Sequence, residues 1–197
     1  MARDRRARPQ AESLRLFVAV DMPGEVAAAL EWAVEPWRDR LGTGRWVPRE
    51  NWHVTVKFLG RTWPRLMSFV ETACRDVAGS IAPFDVALSG LGVFPGPGRA
   101  RVLWAGLDDR GRLAEIAAGL DAGLSREFAP EKRRFTPHLT VARFNPPIPI
   151  REHADALAAA SIDAPSFQVD RLVLYRSHLS PRGARYEALE HFPLSRP

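Results

Sequence analysis

Two short motifs of the form His-x-Thr could carry acid–base chemistry. They are His53-Val54-Thr55 and His138-Leu139-Thr140, in the strings HVTVKFLG and HLTVARFN. The unperturbed pKa of histidine is near 6.5, so near neutral pH one imidazole can accept a proton while another donates one. A threonine hydroxyl two residues away can donate a hydrogen bond to an anionic oxygen or position the ring. One such motif carries little weight, but two in a chain with five histidines predict a paired acid and base.

Hydrolysis of a phosphodiester is a reaction that fits this set of side chains. It needs a base for the attacking water, an acid for the departing alkoxide, and donors for the non-bridging oxygens. Arg143 and Lys57 follow the two motifs closely enough to add positive charge. The chain has a net charge of +5, and all but two of its 28 basic residues are arginine, whose guanidinium fork suits phosphate. We therefore expect a polyanionic substrate.

Several other chemistries lack their motifs in this chain. The sequence contains no G-x-x-x-x-G-K-[ST], no G-x-G-x-x-G, no G-x-S-x-G and no H-E-x-x-H. Zinc would need at least a third ligand, and His153, His178 and His191 have no spacing that places them beside both motifs. We predict a mechanism without a metal or a cofactor.

Each motif lies in a run with the alternating pattern of a β-strand, and alternate residues of a strand share one face. The pattern predicts one face made of His53, Thr55 and Lys57, and another made of His138, Thr140 and Ala142.

The surroundings of the two motifs repeat. Phe17 precedes His53 by 36 residues and Trp104 precedes His138 by 34, each in a buried-strand pattern. Downstream, arginines follow the two histidines after 48 and 47 residues, at positions 101 and 185. The spacing indicates a duplicated unit of strand, helix, motif strand, helix, strand and strand. Two related lobes would present the histidines to one cleft about a pseudo-twofold axis.

The remaining elements follow from periodicity and from proline and glycine. We predict a strand over 14–21, a helix over 24–40 that is kinked or interrupted at Pro36, a loop after it, helices over 65–78 and 110–128, a turn at 95–99, irregular structure over the proline-rich 145–150, and a short helix ending near Ala160.

Domain organisation and location are predicted from composition. We expect a disordered basic arm at 1–13, a single bilobal domain at 14–192 and a short tail at 193–197. No apolar run approaches the roughly 20 residues that span a bilayer, and the first residues lack the apolar centre of a secretory signal. These features predict a cytoplasmic protein. Cys74 is the sole cysteine and is expected to be a buried thiol.

Five strings together resemble a known family. In order, LFVAVD, NWHVTVKFLG, RVLWAGL, FTPHLTVARF and LYRSHLSPRGARYEAL are similar to the RNA 2′,3′-cyclic phosphodiesterases, also called 2′-5′ RNA ligases, of the two-histidine phosphoesterase superfamily. The resemblance covers roughly residues 14–192. It implies a bilobal α+β fold in which each lobe is a largely antiparallel sheet with helices on its outer face, and both motif strands line a central cleft. One departure is Val56, where the family more often has leucine.

The resemblance also implies roles for the motif residues. His53 would be the general acid that protonates the leaving ribose oxygen, and His138 the general base that activates water. Thr55 and Thr140 would bind the phosphate. Such enzymes open a terminal 2′,3′-cyclic phosphate on RNA to a 2′-phosphomonoester, so the 3′-oxygen would be the leaving group.

Substrate contacts are predicted from residues that flank the motifs. Arg143 follows the second motif as in the family, and the LYRS segment would bring Tyr175 or Ser177 near the cleft. Arg134, Phe135 and Trp52 lie beside the histidine strands and could contact phosphate or stack on a base. The expected partner is RNA with a terminal 2′,3′-cyclic phosphate, bound by a monomer that needs no membrane and no protein partner.

Three functions remain open at this point. The first is metal-independent hydrolysis of the RNA cyclic phosphate. The second keeps the fold but changes the reaction to 2′-5′ ligation, which is the reverse reaction, or to hydrolysis of a small cyclic nucleotide. ATP-dependent ligation is disfavoured because neither Lys57 nor Lys132 lies in a K-x-D-G motif. The third is RNA binding without catalysis, which two intact histidines disfavour.

Overall fold

The structure is a computed structural model that describes residues 12–42, 44–181 and 183–195. Nearly all of the predicted basic arm lies outside these residues. Within them the chain forms nine strands and four α-helices. In chain order these are β1 (Leu14–Asp21), α1 (Gly24–Leu41), β2 (Arg45–Trp46), β3 (His53–Thr62), α2 (Met67–Gly79), β4 (Phe84–Phe94), β5 (Ala100–Asp108), α3 (Arg112–Leu124), β6 (His138–Ile148), α4 (Ala154–Ala158), β7 (Phe167–Val169), β8 (Arg171–Ser180) and β9 (Gly183–Pro193).

The strands form one antiparallel sheet in the order β7-β4-β5-β6-β3-β1-β8-β9, with β2 paired to β6. The sheet divides between β6 and β3, which share a single registered pair, Val54 opposite Leu139. We call β3-β1-β8-β9 the first half-sheet and β6-β5-β4-β7 the second half-sheet. The two orders match strand for strand, so the prediction of an α+β fold with two related lobes is confirmed.

The two halves exchange strands. β4 belongs to the first sequence repeat, yet it pairs with β5 in the second half-sheet. β8 belongs to the second repeat, yet it pairs with β1 in the first half-sheet. Because each half-sheet contains a strand of the other repeat, neither repeat completes a lobe alone.

The helices bury apolar side chains on the sheet face opposite the motif histidines. α2 and α3 pack against each other; α2 also packs on β8 and β9, and α3 on β3. Fully buried residues of both helices and of the sheet form one cluster, with Val70 and Cys74 from α2 and Leu113 and Leu120 from α3. Burial of apolar area of this kind is the main term that stabilises such a fold.

α1 runs from Gly24 to Leu41 without interruption, so Pro36 does not break the helix as one of the two predicted outcomes had it. Proline removes one helical hydrogen bond. The buried stripe of Val26, Leu30, Val34 and Trp37 spans both sides of the proline. Tertiary packing of that stripe therefore holds the helix together.

Other boundaries also differ from the sequence predictions. β6 continues through Pro146 and Pro147 to Ile148, which pairs with Ala100 beyond a register shift, so the prolines lie in an irregular part of the ladder. At the C-terminus, β9 runs to Pro193 and the Leu194 amide donates to the Asp170 carbonyl at 2.7 Å. Ordered backbone contacts therefore continue past residue 192.

A β-bulge interrupts the alternation of both motif strands. In β3, Ala19 lies opposite Thr55 but the next β1 residue, Val18, lies opposite Lys57, so one residue of β3 is extra. In β6 the same shift follows Thr140, with Ala142 as the next registered residue. A bulge reverses the side to which later side chains point.

The bulges overturn two sequence predictions. Lys57 does not share a face with the motif histidine; it is 6% exposed, forms an ion pair with Asp121 of α3 and donates to the Ala129 carbonyl at 3.2 Å. Ala142 is likewise buried on the helix side. Phe58 and Arg143, the next residues along each strand, face the cleft where simple alternation predicted Lys57 and Ala142.

Replacing Lys57 with methionine tests the role of this ion pair. Asp121 would keep its charge in a largely buried place without a cation, so we expect Lys57→Met to lower the free energy of unfolding by about 2 kcal/mol. Urea unfolding monitored by circular dichroism measures the loss.

The double variant Lys57→Met/Asp121→Asn is the matched control. It removes both charges and keeps an acceptor for the Glu131 amide, which donates to Asp121 Oδ2 at 3.1 Å. We expect it to be more stable than the single variant. A single variant as stable as the wild type would show that the ion pair contributes nothing.

Candidate active site

A cleft of about 610 Å³ opens on the sheet face opposite α2 and α3. Its walls come from both half-sheets and from β2. The lining residues are Arg15, Phe17, Arg45, Trp46, Val47, Pro48, Asn51, His53, Thr55, Phe58, His138, Thr140, Arg143, Ser177, Leu179, Ser180, Gly183, Ala184 and Tyr186.

The two motif histidines are held in the same way. Nδ1 of His53 lies 2.8 Å from the Asn51 carbonyl oxygen, and Nδ1 of His138 lies 2.8 Å from the Thr136 carbonyl oxygen. A carbonyl oxygen only accepts hydrogen bonds, so Nδ1 carries the proton in both rings. Each neutral ring therefore has its lone pair on Nε2, the atom left for chemistry in the cleft.

The threonines are brought to the histidines by the strand register. Since Val54 lies opposite Leu139 in an antiparallel pair, His53 neighbours Thr140 across the junction and Thr55 neighbours His138. The Thr55 hydroxyl also lies 3.0 Å from Nε2 of His53. Two imidazoles and two hydroxyls thus alternate around one point of the cleft.

Aromatic side chains enclose the His53 ring. Phe17 stacks on it with ring centroids 4.8 Å apart, and Tyr186 meets it edge-on at 5.0 Å. Tyr175 stacks behind Phe17 at 5.2 Å, and its hydroxyl donates to Asp21 Oδ1 at 2.6 Å. In the strand ladder, Asp21 lies directly opposite His53.

The surroundings of His138 differ. Phe94 of β4 meets its ring edge-on at 5.2 Å, and Trp104 stacks on Phe94 at 5.0 Å. No ring in the described part of the chain stacks face to face on His138. The pseudo-twofold symmetry of the backbone therefore does not extend to the environments of the two imidazoles.

Burial lowers the pKa of His53 to about 4. The bond to the Asn51 carbonyl and the charge of Asp21 favour the protonated form and oppose this shift. The charges of Arg143 and His138 add to the lowering. In the free protein near neutral pH, the His53 ring is therefore neutral.

In the described part of the chain, the charged side chains that line the cleft are all cationic. Among the described residues they are Arg15, Arg45 and Arg143, and no aspartate or glutamate lines the cleft. Three guanidinium groups in one concave surface focus a positive potential on it. The cleft is therefore suited to an anionic ligand.

Some of the predicted site residues meet in this cleft and others do not. His53, Thr55, His138, Thr140, Arg143 and Ser177 all line it. Tyr175 does not, because its hydroxyl is directed to Asp21; the pKa of that phenol is raised by burial and by this hydrogen bond. Tyr175 was predicted to contact the substrate, but its hydroxyl contacts the carboxylate of Asp21 beside His53.

Four other predicted contact residues, which flank the two motifs, lie outside the cleft. Arg134 is exposed and lies outside the cleft, and Phe135 packs against the hydrophobic core. Trp52 is buried, and its indole N–H donates to the Val47 carbonyl at 3.0 Å. Lys57, described above, points to α3 instead of the cleft.

Sequence reasoning missed several lining residues, of which Phe58 had a detectable signal. It follows His53 at the same distance as Arg143 follows His138, so an alignment of the two repeats predicts that both share one position. Both face the cleft. Arg45 and Tyr186 carried no such signal because distant segments deliver them.

Two further features concern metals and membranes. Within residues 12–42, 44–181 and 183–195, no group of three or more His, Cys, Asp or Glu side chains is arranged to hold a metal ion. In the same ranges, no helix is long and apolar enough to cross a membrane.

Comparison with known proteins identifies the family. The family model of the 2′-5′ RNA ligase superfamily matches residues 23–181. This chain belongs to the 2′-5′ RNA ligase superfamily.

Curated relatives in the superfamily are named RNA 2′,3′-cyclic phosphodiesterase. The one from Thermus thermophilus is 35% identical over 191 residues, covering 92% of this chain and 90% of the relative. That of Methanothermobacter thermautotrophicus is 30% identical, with 92% and 99% covered. The Geobacillus stearothermophilus relative is 34% identical over 90% of this chain, but the chain spans only 56% of its length. The chain is thus an enzyme of the superfamily.

Solved structures of the superfamily share the fold. A Thermus thermophilus structure has a TM-score of 0.76 and 32% identity, covering 92% of this chain and 98% of that chain. Escherichia coli LigT complexed with 3′-AMP has a TM-score of 0.68 and 26% identity, with 94% and 100% covered. The bilobal α+β fold is that of the two-histidine phosphoesterases.

The titration of His53 tests the electrostatics of this superfamily member. We expect its ring resonances to titrate near pH 4, well below an unperturbed histidine, in proton–carbon NMR spectra of the free protein. Asp21→Asn should lower this pKa further, because the carboxylate opposes the cost of burying the charged ring.

Asp85→Asn, at an exposed position on β4, is the matched control and should leave the titration of His53 unchanged. Since the unfolded chain binds this proton near pH 6.5, the contribution of His53 to stability should fall as the pH drops from 6.5 toward 4. A His53 pKa of 6.5 or above would contradict the enclosure described here.

Proposed function

We propose that this protein hydrolyses the terminal 2′,3′-cyclic phosphate of RNA to a 2′-phosphomonoester. The observation that carries the proposal is the matched pair of imidazoles: each has Nδ1 held by a backbone carbonyl, so that Nε2 is the ring nitrogen available for proton transfer, and in His53 this atom also lies 3.0 Å from the Thr55 hydroxyl. The names of the relatives, RNA 2′,3′-cyclic phosphodiesterase, support the choice of substrate.

In the proposed reaction His138 acts as the base. Its Nε2 takes a proton from a water molecule, and the water oxygen forms a bond to phosphorus. The hydrogen bond from Nδ1–H to the Thr136 carbonyl, at 2.8 Å, fixes the tautomer that has a free lone pair on Nε2. The same bond is kept when Nε2 accepts the proton, since Nδ1–H still donates to the carbonyl.

His53 acts as the acid in the same step. As the bond from phosphorus to the 3′-oxygen breaks, Nε2 of His53 gives its proton to that oxygen. The ring is neutral in the free protein, so it must gain a proton when substrate binds. The anionic phosphate supplies the reason, because a negative charge in the cleft offsets the burial penalty and the repulsion by Arg143.

The threonines and Arg143 stabilise the charge on phosphate. The hydroxyls of Thr55 and Thr140 can donate to the two non-bridging oxygens, and the Arg143 guanidinium offers a fork of donors beside them. Such preorganised donors contribute most when charge grows on those oxygens in the transition state. The side chains of the cleft thus supply base, acid and electrostatic stabilisation, and the proposal uses no metal.

The central prediction is turnover of a short RNA with a 2′,3′-cyclic phosphate end in the presence of a chelator. The product should be the 2′-phosphate, resolved from the 3′-phosphate by chromatography. His53→Ala and His138→Ala should each lose on the order of 10²- to 10⁴-fold in rate while keeping the native circular dichroism spectrum. Joining of the substrate to added 5′-hydroxyl RNA, without hydrolysis, would instead favour ligation.

The separate roles of the two histidines can be tested with a sulfur substrate. A thiolate leaves without protonation, so a substrate with sulfur in place of the 3′-oxygen needs no general acid. His53→Ala should lose at least tenfold less on this substrate than on the oxygen substrate, whereas His138→Ala should lose as much on both. The opposite pattern would exchange the acid and base assignments and leave the overall reaction intact.

A further inference from the structure

Arg45 is the lining residue whose place in the cleft the proposed reaction does not explain. It lies on β2, the short strand at the edge of the second half-sheet, and its registered partner on β6 is Arg143. Both side chains line the cleft. Like charges directly opposite each other in an antiparallel pair destabilise the sheet. The pairing of these two arginines therefore has a cost in the free protein.

No carboxylate relieves this cost in the described part of the chain. Neither Arg45 nor Arg143 forms an ion pair there, although ion pairs are present at other arginines, such as Arg75 with Glu190. Arginines whose role is structural commonly have a carboxylate or carbonyl partner, as Arg49 has in Glu31 and the Gly24 carbonyl. An anionic ligand would serve both cleft guanidinium groups.

The direction of the Arg45 side chain separates it from the reacting centre. Its guanidinium extends from β2 toward the turn between β8 and β9: a β-carbon on Gly183 would lie only 2.7 Å from Nη2 of Arg45. The hydroxyl of Ser180, at the same turn, donates to the Gly183 carbonyl at 2.9 Å. Arg45 thus reaches from β2, on the edge of β6 that also meets β3, to the β8–β9 turn at the mouth of the cleft.

The size of the cleft leaves room for more than one phosphate. A volume of about 610 Å³ is in the range that holds whole drug-sized ligands, whereas the two histidines and two threonines act on a single phosphate. Leu179, 67% exposed, adds an apolar surface at the mouth of the cleft.

We propose that Arg45 forms a second phosphate subsite, which binds the phosphodiester next to the terminal cyclic phosphate. The substrate class is then an RNA chain of at least two nucleotides, and a free 2′,3′-cyclic mononucleotide fills the cleft only in part. This inference rests on the proposed function, since it takes the cyclic phosphate to lie between the two histidines.

The test compares two substrates with the same terminal nucleoside. One is a 2′,3′-cyclic mononucleotide, and the other is a dinucleotide that ends in the same cyclic phosphate and has one further phosphodiester. The variants are Arg45→Met, which keeps most of the side-chain length without its charge, and Arg65→Met as the matched control. Arg65 is exposed and lies outside the cleft.

We expect Arg45→Met to lower the ratio of kcat/KM for the dinucleotide to kcat/KM for the mononucleotide by about tenfold, mainly through KM, because one charge-assisted contact is lost. For the dinucleotide, the slope of log kcat/KM against log salt should become shallower by about 0.7, the value for one phosphate contact on a single strand. Arg65→Met should change neither quantity.

An equal loss on both substrates would overturn the inference, since Arg45 would then act on the reacting phosphate. No loss on either would overturn it as well. If the wild type turned over neither substrate, the proposed function would be wrong, but the subsite could still be tested by binding. The subsite is then tested by fluorescence anisotropy with a labelled trinucleotide: weaker binding by Arg45→Met than by Arg65→Met supports it, and equal binding overturns it.

Discussion

One antiparallel pair, Val54 opposite Leu139, joins the two half-sheets, and the geometry of the cleft depends on it. Both side chains are buried, so the residues on either side of each must face the cleft. This brings the two histidines, which are 85 positions apart in the chain, to one point without any direct bond between them. The exchange of β4 and β8 also holds the two sequence repeats together, because the repeats cannot separate without unpairing these strands.

The two imidazoles have the same backbone contact but different surroundings. A carbonyl two residues before each ring fixes the Nδ1–H tautomer in both. Stacked and edge-on aromatic rings then enclose His53, whereas His138 has one edge-on neighbour. Acid–base catalysis in one step needs one neutral and one protonated ring, so the two imidazoles must differ in protonation state when they act. Burial of one ring breaks a symmetry that the duplicated backbone would otherwise impose.

The bulges in β3 and β6 serve the same cleft by exchanging neighbouring side chains between the faces of the sheet. Without a bulge, Lys57 would face the substrate and Phe58 the helices. With it, the lysine charge goes to Asp121 of α3, and an aromatic ring joins the cleft. In β6 the equivalent shift directs Arg143 to the cleft and a small alanine to the core. One extra residue in each strand thus decides which charges reach an anionic ligand.

The sequence by itself determined the parts that depend on local pattern and on repetition. The motif histidines and threonines, the duplicated order of elements and the two related lobes follow from alternation and from near-equal spacing of matching strings, and the family resemblance implied the α+β fold. The bulges did not follow, because one extra residue in a ladder is decided by the register of the neighbouring strand and not by residue type.

Contacts between distant segments were decided by tertiary structure alone. The strand exchange, the delivery of Arg45 from an edge strand and the turn of Tyr175 toward Asp21 each depend on pairings between segments far apart in the chain. The lowered pKa of His53 was also decided by tertiary structure, since it arises from burial by residues of three other strands. Local periodicity specifies which face of a strand is apolar, but only the assembled sheet decides which residues that face contacts.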